Sequence, residues 1–434
     1  MIPPWRASGP REYLASLEQF GIKLGLATIS ALCAALGHPE RAFPSLLIGG
    51  TNGKGSTAAF ADEALRAAGY RIGRYTSPHL IALEERFHIG GAPIPPDRLD
   101  AALDEIRAVA EDLRQRETTG AHPTYFEVTT AAALLLFARA RVDAAVLEVG
   151  LGGRFDATNV VVPIGSAIAS IAYDHERHLG STLAAIAGEK AGIAKPGVPM
   201  VIGPLPPEAR AVVLETCRRQ HAPVIDAFAG TLIDVSSRGG RTTVRLRTPS
   251  HDYGELCLAL RGDHQAGNAV VAARLLETVR LKGEAIPPDA IRSGLERARW
   301  PGRLDLRRLP DGRTVLIDGA HNPDGARAFA RYLAIEHPGG LPLVFGAMQD
   351  KDLRGMIAAL ASASRPLILT RVPGSDRAAP VDALLAAARD AGVSAVGEPA
   401  VERALERAWS ESPAIAVGGS LYLAGAVLAL IENR

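Results

Sequence analysis

Short apolar runs alternate with longer segments of helical periodicity along the chain from Leu46 onward. Strands that are buried on both faces are apolar throughout, and helices between successive strands favour a parallel sheet with crossover connections. In the first half, this pattern predicts strands at residues 46–50, 144–149, 167–173 and 199–203. Helices are expected to follow from about Ser56, Thr182 and Pro207.

Residues 223–261 break this rhythm. Stretches such as TTVRLR alternate polar and apolar residues, lie among Gly and Ser, and show no helix-length periodicity. We therefore expect a small antiparallel sheet annexed to the first domain. Helices from His264 and Pro288 are predicted to close this half of the chain.

The segment ARWPGRLDLRR, residues 298–308, brings Trp, Pro and Gly together just before a new α/β series, which indicates a domain boundary. Beyond it, strand-helix units with short connections start at residues 314, 341, 366, 393 and 414. Such a series is typical of a Rossmann-like sheet. The predicted fold is α/β, with a parallel-sheet domain at 1–298 and a smaller Rossmann-like domain at 299–434.

The composition narrows the possible partners and locations. The chain has 434 residues, of which 47% are hydrophobic and 22% charged, as in ordinary soluble proteins. A formal net charge of +1 provides no bulk field for nucleic acid or an anionic membrane, so we expect neither partner. Three scattered cysteines and an N-terminus without a signal-peptide segment favour the cytoplasm, and we expect a monomer.

An uncharged stretch at residues 414–431 approaches the length of a short membrane span. The sequence Gly418-Gly419-Ser420 divides it into a strand-sized part and a helix-sized part. We predict a strand, a turn and a helix at this position.

The segment IGGTNGKGST, residues 48–57, joins a predicted strand to a predicted helix. Its glycines allow backbone N–H groups to converge on an anion, the helix start adds its positive end, and Lys54 supplies a mobile charge. The spelling departs from G-x-x-x-x-G-K-[ST], because Ile48 replaces the first glycine and Gly55 separates Lys54 from Ser56. A simple glycine-rich turn is the alternative, but phosphate binding explains more of these residues. The first domain is thus predicted to be of the P-loop ATPase type.

Acidic and imidazole side chains end two other predicted strands. Glu148 ends DAAVLEVG, and Asp174-His175 follow AIASIAY. Because open parallel sheets bind ligands at the carboxyl ends of their strands, Glu148 and His175 are expected to face the phosphate loop. A carboxylate there could hold the Mg²⁺ of a nucleotide. Taken alone, His175 fits a hydrogen-bonded loop residue better than a magnesium ligand, because Mg²⁺ prefers oxygen.

Lys190 lies in STLAAIAGEKAGIAKPG, a predicted helix, on the same face as Leu183, Ile186, Ala187 and Ala194. Two interpretations stay open. The amine could reach water at the end of an apolar stem. Alternatively, it could be desolvated with a lowered pKa, and then act near phosphate or react with CO₂ to form a carbamate.

In the second domain, TVLIDGAHNPDGA places Asp318 at a strand end, His321 in a loop, and Asn322 before a helix that starts with proline. Asn322 is expected to cap that helix. Asp318 and His321 could face the first domain across a cleft, where a two-domain protein commonly binds its ligand. Lys351 in FGAMQDKD and Ser420 in AVGGSLYL follow strands at the same edge.

Eight strings occur in order along the chain, namely GTNGKGS, YTSPHL, EVGLGGRFDATN, DH, EKAGI, GDHQAGN, WPGR and DGAHNP. From about residue 20 to the C-terminus, the chain resembles the folylpolyglutamate synthase and dihydrofolate synthase family, a branch of the Mur ligase superfamily. The phosphate loop of that family carries the extra glycine, which explains Gly55. The resemblance implies ligation of L-glutamate to dihydropteroate or a reduced folate through an acyl phosphate, with ATP and Mg²⁺.

The resemblance also implies roles for individual residues. ATP is expected to contact Thr51, Asn52, Gly53, Lys54, Gly55, Ser56, Thr57, Asn268, Arg303 and Asp318. Metal ions are expected at Ser56, Ser77, Glu148 and His175, and catalytic roles at Lys54, Lys190, Arg303 and His321. The pterin is expected near His79, Thr124, Phe126, Asp156 and Ala157, and the incoming glutamate near His321 and Ser420. Lys190 aligns with a family lysine that is often carbamylated.

Two other interpretations are weighed against this one. A cell-wall Mur ligase would carry a UDP-binding domain, for which the 48 residues before Gly49 are too few. A nucleotide-dependent switch or transport ATPase is the second alternative, although the sequence lacks the NKxD base-reading motif of GTPases. Which acceptor is used stays open, and we expect a bifunctional enzyme.

Overall fold

The computed structural model describes residues 9–21, 23, 25–116 and 122–432. Its helices are α1 (Pro10–Ser16), α2 (Ala27–Ala35), α3 (Lys54–Ala67), α4 (Pro96–Gln115), α5 (Tyr125–Arg139), α6 (Glu176–Leu179), α7 (Leu183–Ala191), α8 (Pro207–Arg219), α9 (Asp263–Thr278), α10 (Pro288–Arg297), α11 (Pro323–Glu336), α12 (Leu353–Leu360), α13 (Val381–Asp390), α14 (Val401–Glu411) and α15 (Leu421–Glu432).

The strands belong to two large sheets and two small ones. They are β1 (Ser45–Gly49), β2 (Ile72–Tyr75), β3 (Phe87–Ile89), β4 (Ala92–Pro93), β5 (Ala144–Glu148), β6 (Gly165–Ile168), β7 (Met200–Ile202), β8 (Val224–Asp226), β9 (Leu232–Arg238), β10 (Arg241–Arg247), β11 (Asp252–Leu258), β12 (Arg280–Leu281), β13 (Glu284–Ala285), β14 (Asp305–Arg308), β15 (Thr314–Ile317), β16 (Leu341–Phe345), β17 (Ser364–Leu369), β18 (Ala395–Gly397) and β19 (Ala414–Gly418).

The first large sheet has eight strands in the order β4-β3-β2-β5-β1-β6-β7-β8. The six neighbouring strands β2, β5, β1, β6, β7 and β8 are parallel. At the edge, β3 pairs antiparallel with β2, and β4 pairs antiparallel with β3. Leu47 faces one apolar core, and its neighbours Leu46 and Ile48 face the other, so the central strand is buried on both sides. This burial explains why the strand is apolar at every position. We call the part built on this sheet the first lobe.

The second large sheet has six strands in the order β14-β15-β19-β16-β17-β18, with apolar cores on both faces. All strands are parallel except β14, which pairs antiparallel with β15. The five predicted strands are present, but the pattern did not reveal β14, whose residues DLRR alternate partly buried and exposed positions at the sheet edge. We call the part built on this sheet the second lobe.

The annexed antiparallel sheet is present as β11-β10-β9. The prediction for residues 223–261 was wrong at its start, because β8 joins the large sheet parallel to β7. The hydrophobic pattern also missed α4 and α5, which cover the large sheet, and the strands β2 to β4. Residues 414–431 form β19 and α15, as predicted. Among the described residues, no helix combines the length and apolarity needed to cross a membrane.

The predicted strand at residues 167–173 was wrong beyond Ile168, where β6 ends. The following residues hydrogen-bond to the glycine-rich loop instead of continuing the sheet. The N–H of Thr51 donates to the Ser170 carbonyl at 2.8 Å, and the Ala172 N–H donates to the Thr51 hydroxyl at 3.1 Å. The segment is apolar because it lies beneath this loop.

Candidate functional site

A cavity of about 380 Å³ lies between the two lobes, at the carboxyl ends of β1, β5 and β6. Its first-lobe wall includes the glycine-rich loop, Ser77, Glu148, His175, Lys190 and Asn268, and its second-lobe wall includes Asp318 and His321. Arg303 also lines it. Because the carboxyl edge of a parallel sheet is the usual ligand-binding edge, this cavity is the candidate site.

Gly53 shapes the glycine-rich loop. Its φ of 82° is a left-handed conformation, and a Cβ at this position would lie 2.2 Å from Oδ1 of Asn268. Helix α3 begins at the next residue, Lys54, and no side chain caps its N-terminus. The first backbone N–H groups of a helix lack partners within it, so this end can bind an anion.

Glycine is needed at position 55 for a different physical reason. A Cβ here would lie 2.5 Å from Cζ2 of Trp300, so the indole ring packs against the bare backbone of α3. The guanidinium of Arg74 lies 5.1 Å above the Trp300 ring and forms an ion pair with Asp62 at 3.0 Å. The departure of this loop from the usual phosphate-loop spelling therefore makes room for Trp300.

The loop is fastened from within the first lobe. The Asn52 N–H donates to the Ser170 hydroxyl at 3.0 Å, and that hydroxyl donates to the Asn52 carbonyl at 2.9 Å. The ammonium of Lys54 donates to the Thr51 carbonyl at 3.1 Å and lines the cavity. The charge of Lys54 is thus held in the cavity at the start of α3.

Lys190 is buried, with only 5% of its surface exposed. Its Nζ donates to the Gly50 carbonyl at 2.8 Å, and the residue lines the cavity. Burial, together with the nearby charge of Lys54, lowers the pKa of Lys190 to about 7. A large fraction of this amine is therefore neutral near physiological pH, which favours the desolvated interpretation over a solvent-exposed amine.

Glu148, Ser77 and His175 contribute possible metal ligands to the cavity. Burial raises the pKa of Glu148, which accepts a hydrogen bond from the Ser77 N–H at 3.2 Å. Burial lowers the pKa of His175 to about 4, so its imidazole is neutral at pH 7 and able to bind a metal. The described residues contain no cluster of three or more His, Cys, Asp or Glu side chains suited to a metal.

Hydrogen bonds from backbone N–H groups order the second-lobe wall of the cavity. Asp318 is buried and accepts hydrogen bonds from the backbone N–H groups of Leu304 at 2.9 Å and Ala320 at 2.8 Å. Asn322 caps α11, as predicted, by accepting from the Gly325 N–H at 2.8 Å. Nδ1 of His321 lies 2.9 Å from the Gly319 carbonyl. Since a carbonyl only accepts, this nitrogen carries a hydrogen, and Nε2 faces the first lobe.

Asp174 of the first lobe meets three side chains of the second lobe. Lys351 forms an ion pair with Oδ1, while the Asn322 amide donates to Oδ2 at 3.3 Å and Nε2 of His321 lies 3.4 Å from Oδ2. Burial by itself would raise the pKa of Asp174. The hydrogen bond from His321 and the surrounding positive charges outweigh burial and hold this pKa well below its usual range.

Known proteins of similar sequence and structure identify the family of this chain. Residues 302–421 match the family described as Mur ligase, glutamate ligase domain. The chain is 38% identical to a dihydrofolate synthase/folylpolyglutamate synthase of Bacillus subtilis over 354 residues, which is 81% of each chain. The chain belongs to the folylpolyglutamate synthase/dihydrofolate synthase family. It is therefore an ATP-dependent ligase that joins glutamate to a folate or pteroate carboxyl group.

Solved structures of the folylpolyglutamate synthase/dihydrofolate synthase family have the same fold. A Mycobacterium tuberculosis folylpolyglutamate synthase complexed with ADP and AMPPCP has a TM-score of 0.88 and 37% identity, covering 97% of this chain and 98% of that one. Escherichia coli FolC in complex with DHPP and ADP has a TM-score of 0.84 and 30% identity, covering 99% of each chain.

Most of the residues expected to bind ATP or metal, or to act in catalysis, lie together in this family member. Thr51 to Ser56, Ser77, Glu148, His175, Lys190, Asn268, Arg303, Asp318 and His321 all line the one cavity. Thr57 is the exception, since it is fully buried beside the cavity wall and its hydroxyl has no hydrogen-bond partner among the described residues.

The residues expected to bind pterin lie outside the lining of this cavity. The Asp156 carboxylate is buried, which raises its pKa, and it accepts hydrogen bonds from the Leu151 N–H at 2.8 Å and the Thr158 N–H at 3.0 Å. Ala157 is buried next to it. Thr124 caps α5 in a reciprocal pair with Glu127, so its hydroxyl is engaged within the helix start.

Two further residues of the expected pterin site are packed against neighbours. Nε of Arg86 donates to Nδ1 of His79 at 2.9 Å, and burial lowers the pKa of His79 to about 4. The ring of Phe126 covers Gly150, where a Cβ would lie 2.5 Å from the ring. Ser420, expected near glutamate, is buried just before α15 and accepts from the Tyr422 N–H at 3.1 Å.

Sequence reasoning missed two residues that build the site. Ser170 fastens the loop, and Trp300 covers Gly55. Ser170 had no local signal, because its partners are more than a hundred positions away. The sequence placed Lys351 after a strand at this edge, but its ion pair with Asp174 was not predicted.

Proposed function

We propose that this chain performs both reactions named for its family, joining L-glutamate to dihydropteroate and to reduced folates. The observation that carries the proposal is the cavity in which Lys54, Lys190 and Glu148 of the first lobe meet Asp318 and His321 of the second lobe, and which Arg303 also lines. Two anions, a triphosphate and a carboxylate, must come together for this reaction. Concentrated positive charge at their meeting point favours that approach.

The proposed chemistry has two steps. An oxygen of the acceptor carboxylate attacks the γ-phosphorus of ATP, which releases ADP and forms an acyl phosphate. The amine of L-glutamate then attacks the acyl carbon, an amide bond forms, and inorganic phosphate leaves. We propose that Lys54 and Arg303 stabilise the negative charge that develops on the transferred phosphoryl group, because both residues line the cavity.

We assign the nucleotide to residues 51–57 together with Asn268, Arg303 and Asp318. The uncapped start of α3 and the lysine above it fit a phosphate chain. Mg²⁺ would neutralise phosphate charge there. The Ser56 hydroxyl and a second set, Ser77, Glu148 and His175, are the residues that would hold metal, and oxygen atoms dominate this group, as Mg²⁺ prefers.

The second metal set contains only one carboxylate. We propose that Lys190 supplies another after its amine reacts with CO₂, since the amine is buried, has a lowered pKa and lines the same cavity as Glu148 and His175. The resulting carbamate would carry a negative charge in place of an amine that is only partly protonated near pH 7.

The remaining substrates are assigned to the residues named from the sequence. The pterin is proposed to lie along His79, Thr124, Phe126, Asp156 and Ala157, and L-glutamate near His321 and Ser420. We also propose the division into domains at 1–298 and 299–434, a monomeric state and a cytoplasmic location. The match of residues 302–421 to a glutamate ligase domain supports the proposed start of the second domain.

The test supplies purified protein with Mg-ATP, L-glutamate and either dihydropteroate or tetrahydrofolate. We expect ADP release with each acceptor and a product heavier by one glutamyl residue in mass spectrometry. Product from only one acceptor would contradict the bifunctional proposal. ADP release that is independent of any pteridine would contradict ligation and favour a nucleotide-dependent switch.

A further inference from the structure

Two buried charges lie beside the helix that follows the phosphate loop, and the proposed ligation does not use them. Asp62 of α3 and Arg74 of β2 form an ion pair at 3.0 Å, and only 1% and 10% of their side chains are exposed. Burial raises the pKa of Asp62 and lowers the pKa of Arg74. Because burying two charges costs solvation free energy that their attraction need not recover, the pair by itself is weak evidence for stability. Its neighbours indicate another role.

An aromatic ring at the boundary between the lobes joins this ion pair to the phosphate loop. The guanidinium of Arg74 lies 5.1 Å from the centroid of the Trp300 ring, within the range of a cation–π contact. The same ring packs against the start of α3, since a Cβ at Gly55 would lie 2.5 Å from Cζ2. Nε of Arg74 is buried without a hydrogen-bond partner among the described residues, so the ion pair and the ring hold this guanidinium. Since Gly55 and Asp62 both belong to α3, these contacts fasten the ring to one helix at two points.

A short turn connects Trp300 to Arg303. Gly302 has a φ of 70°, its N–H donates to Oδ2 of Asp305 at 3.2 Å, and its carbonyl accepts from the Gly319 N–H at 2.8 Å. Nη1 of Arg303 lies 3.5 Å from the same carbonyl, which is a long and weak hydrogen bond. The position of the Arg303 guanidinium therefore follows the position of the turn, and the turn follows Trp300.

Arg303 connects two cavities. It lines the candidate site together with Lys54, and it lines a neighbouring cavity of about 280 Å³ together with Arg74 and Trp300. We propose that Asp62 and Arg74 clamp Trp300 onto α3, and that this clamp sets the position of Arg303 relative to Lys54 for phosphoryl transfer. Arg74 is a positioning residue, because it lies outside the lining of the candidate site. The inference rests on the role proposed for Arg303 in ligation.

The test is a double-substitution cycle with Arg74→Met and Arg303→Ala, with dihydropteroate as the acceptor. Methionine keeps an apolar stem at position 74 without the charge. We expect Arg74→Met to lower kcat by about tenfold, because a small displacement of a reacting group is costly. KM for ATP should change by less than about twofold, since the phosphate loop keeps its own hydrogen bonds. In the Arg303→Ala protein, Arg74→Met should lower kcat by less than about twofold, because the group through which Arg74 acts is already absent.

Removal of the whole ion pair separates a change in stability from a change in position. Arg74→Met alone leaves the Asp62 carboxylate buried without this partner, so the midpoint of denaturant unfolding should fall. Asp62→Leu combined with Arg74→Met should return that midpoint toward the wild-type value. In this protein kcat should stay about tenfold low, because no cation holds the ring. Trp300→Leu keeps the ion pair and should lower kcat by a similar factor.

Arg66→Met is the matched control. Arg66 lies in α3 one turn after Asp62, 3.6 Å from its carboxylate, and lines neither cavity. Its loss removes a positive charge from beside the same carboxylate but leaves Arg74 and Trp300 unchanged. The kcat of this variant should therefore stay within about twofold of the wild-type value.

Three outcomes would overturn the clamp while the wild type still makes the glutamylated product. In the first, Arg74→Met keeps the wild-type kcat. In the second, Arg74→Met lowers kcat by the same factor with and without Arg303, which would show that the two residues act independently. In the third, kcat recovers when Asp62→Leu is added to Arg74→Met, so that stability alone explains the loss. Absence of product from the wild type would contradict the ligation proposal separately.

Discussion

The two walls of the cavity are built differently. In the first lobe, the phosphate loop is fastened by Ser170 and Thr51 through hydrogen bonds inside the same lobe. In the second lobe, Asp318 and Asn322 are ordered by backbone N–H groups, and the wall reaches the first lobe through Asp174. We therefore expect binding of phosphate to depend mainly on the first lobe, and alignment of the reacting groups to depend on contact between both lobes.

Removal of Lys54 is expected to have the largest effect, because this residue supplies a positive charge on the first-lobe wall of the cavity. In Lys54→Ala, turnover should fall by about 10³-fold or more, since a positive charge that stabilises a phosphoryl transition state is lost. The midpoint of thermal unfolding should change little. Rates of ADP release and circular dichroism measure the two quantities. A variant with nearly wild-type turnover would remove Lys54 from the reaction.

Arg303 lies where the lobes meet, so its loss tests the shared part of the site. For Arg303→Ala, we expect kcat to fall by about 10²-fold, as when one preorganised donor to a developing charge is removed. Arg303→Lys should recover only part of the loss, because the ammonium cannot make two parallel hydrogen bonds. Full recovery with lysine would show that only the net charge matters here.

The proposed modification of Lys190 gives a prediction for pH and CO₂. In protein freed of CO₂, activity should fall by about tenfold or more, as it does when a group that supports a metal site is lost, and bicarbonate should restore it. The folded pKa of about 7 means that the amine is largely neutral above pH 7 and protonated below it. Each pH unit below 7 should lower the reactive fraction about tenfold.

Mass spectrometry of the intact protein and activity after bicarbonate addition, from pH 6 to 8, measure this dependence. Lys190→Ala should be insensitive to CO₂ and serves as the control. Equal recovery at pH 6 and pH 8 would contradict the role of the neutral amine.

Substitution of Gly55 is expected to have the smallest effect in this series. In Gly55→Ala, the new methyl group would meet Trp300 at 2.5 Å, so the free energy of unfolding should fall by about 1–3 kcal/mol. Gly188→Ala in α7 is the control, because the nearest atom to its new Cβ lies 3.8 Å away. That variant should gain about 0.5–1 kcal/mol. Denaturant unfolding of both proteins decides whether Trp300 explains the extra glycine.

The sequence revealed those parts of the molecule whose cause is local. The strand before the phosphate loop, the start of α11 at Asn322 and the division of residues 414–431 each follow from neighbouring residues. Helical spacing likewise predicted that Lys190 lies on the apolar face of its helix, and the residue is buried in the structure. The cavity could be predicted because carboxyl ends of parallel strands meet at one edge.

Other features depend on residues far apart in the chain. The predicted strand after Ile168 ended early because the next residues bond to Thr51, which no local pattern could reveal. The edge strand β14 lacks the apolar run of a buried strand. The cluster at Asp174 gathers side chains separated by about 150 positions or more, so it exists only once the two lobes are in contact.

Transfer of a labelled oxygen tests most directly whether the two lobes bring a triphosphate to an organic carboxylate. Dihydropteroate with ¹⁸O in its carboxylate would be supplied with Mg-ATP and L-glutamate. We expect one ¹⁸O atom in the inorganic phosphate released for each amide formed, because the acyl phosphate retains a carboxylate oxygen on phosphorus. Amide formation with unlabelled phosphate would contradict this route.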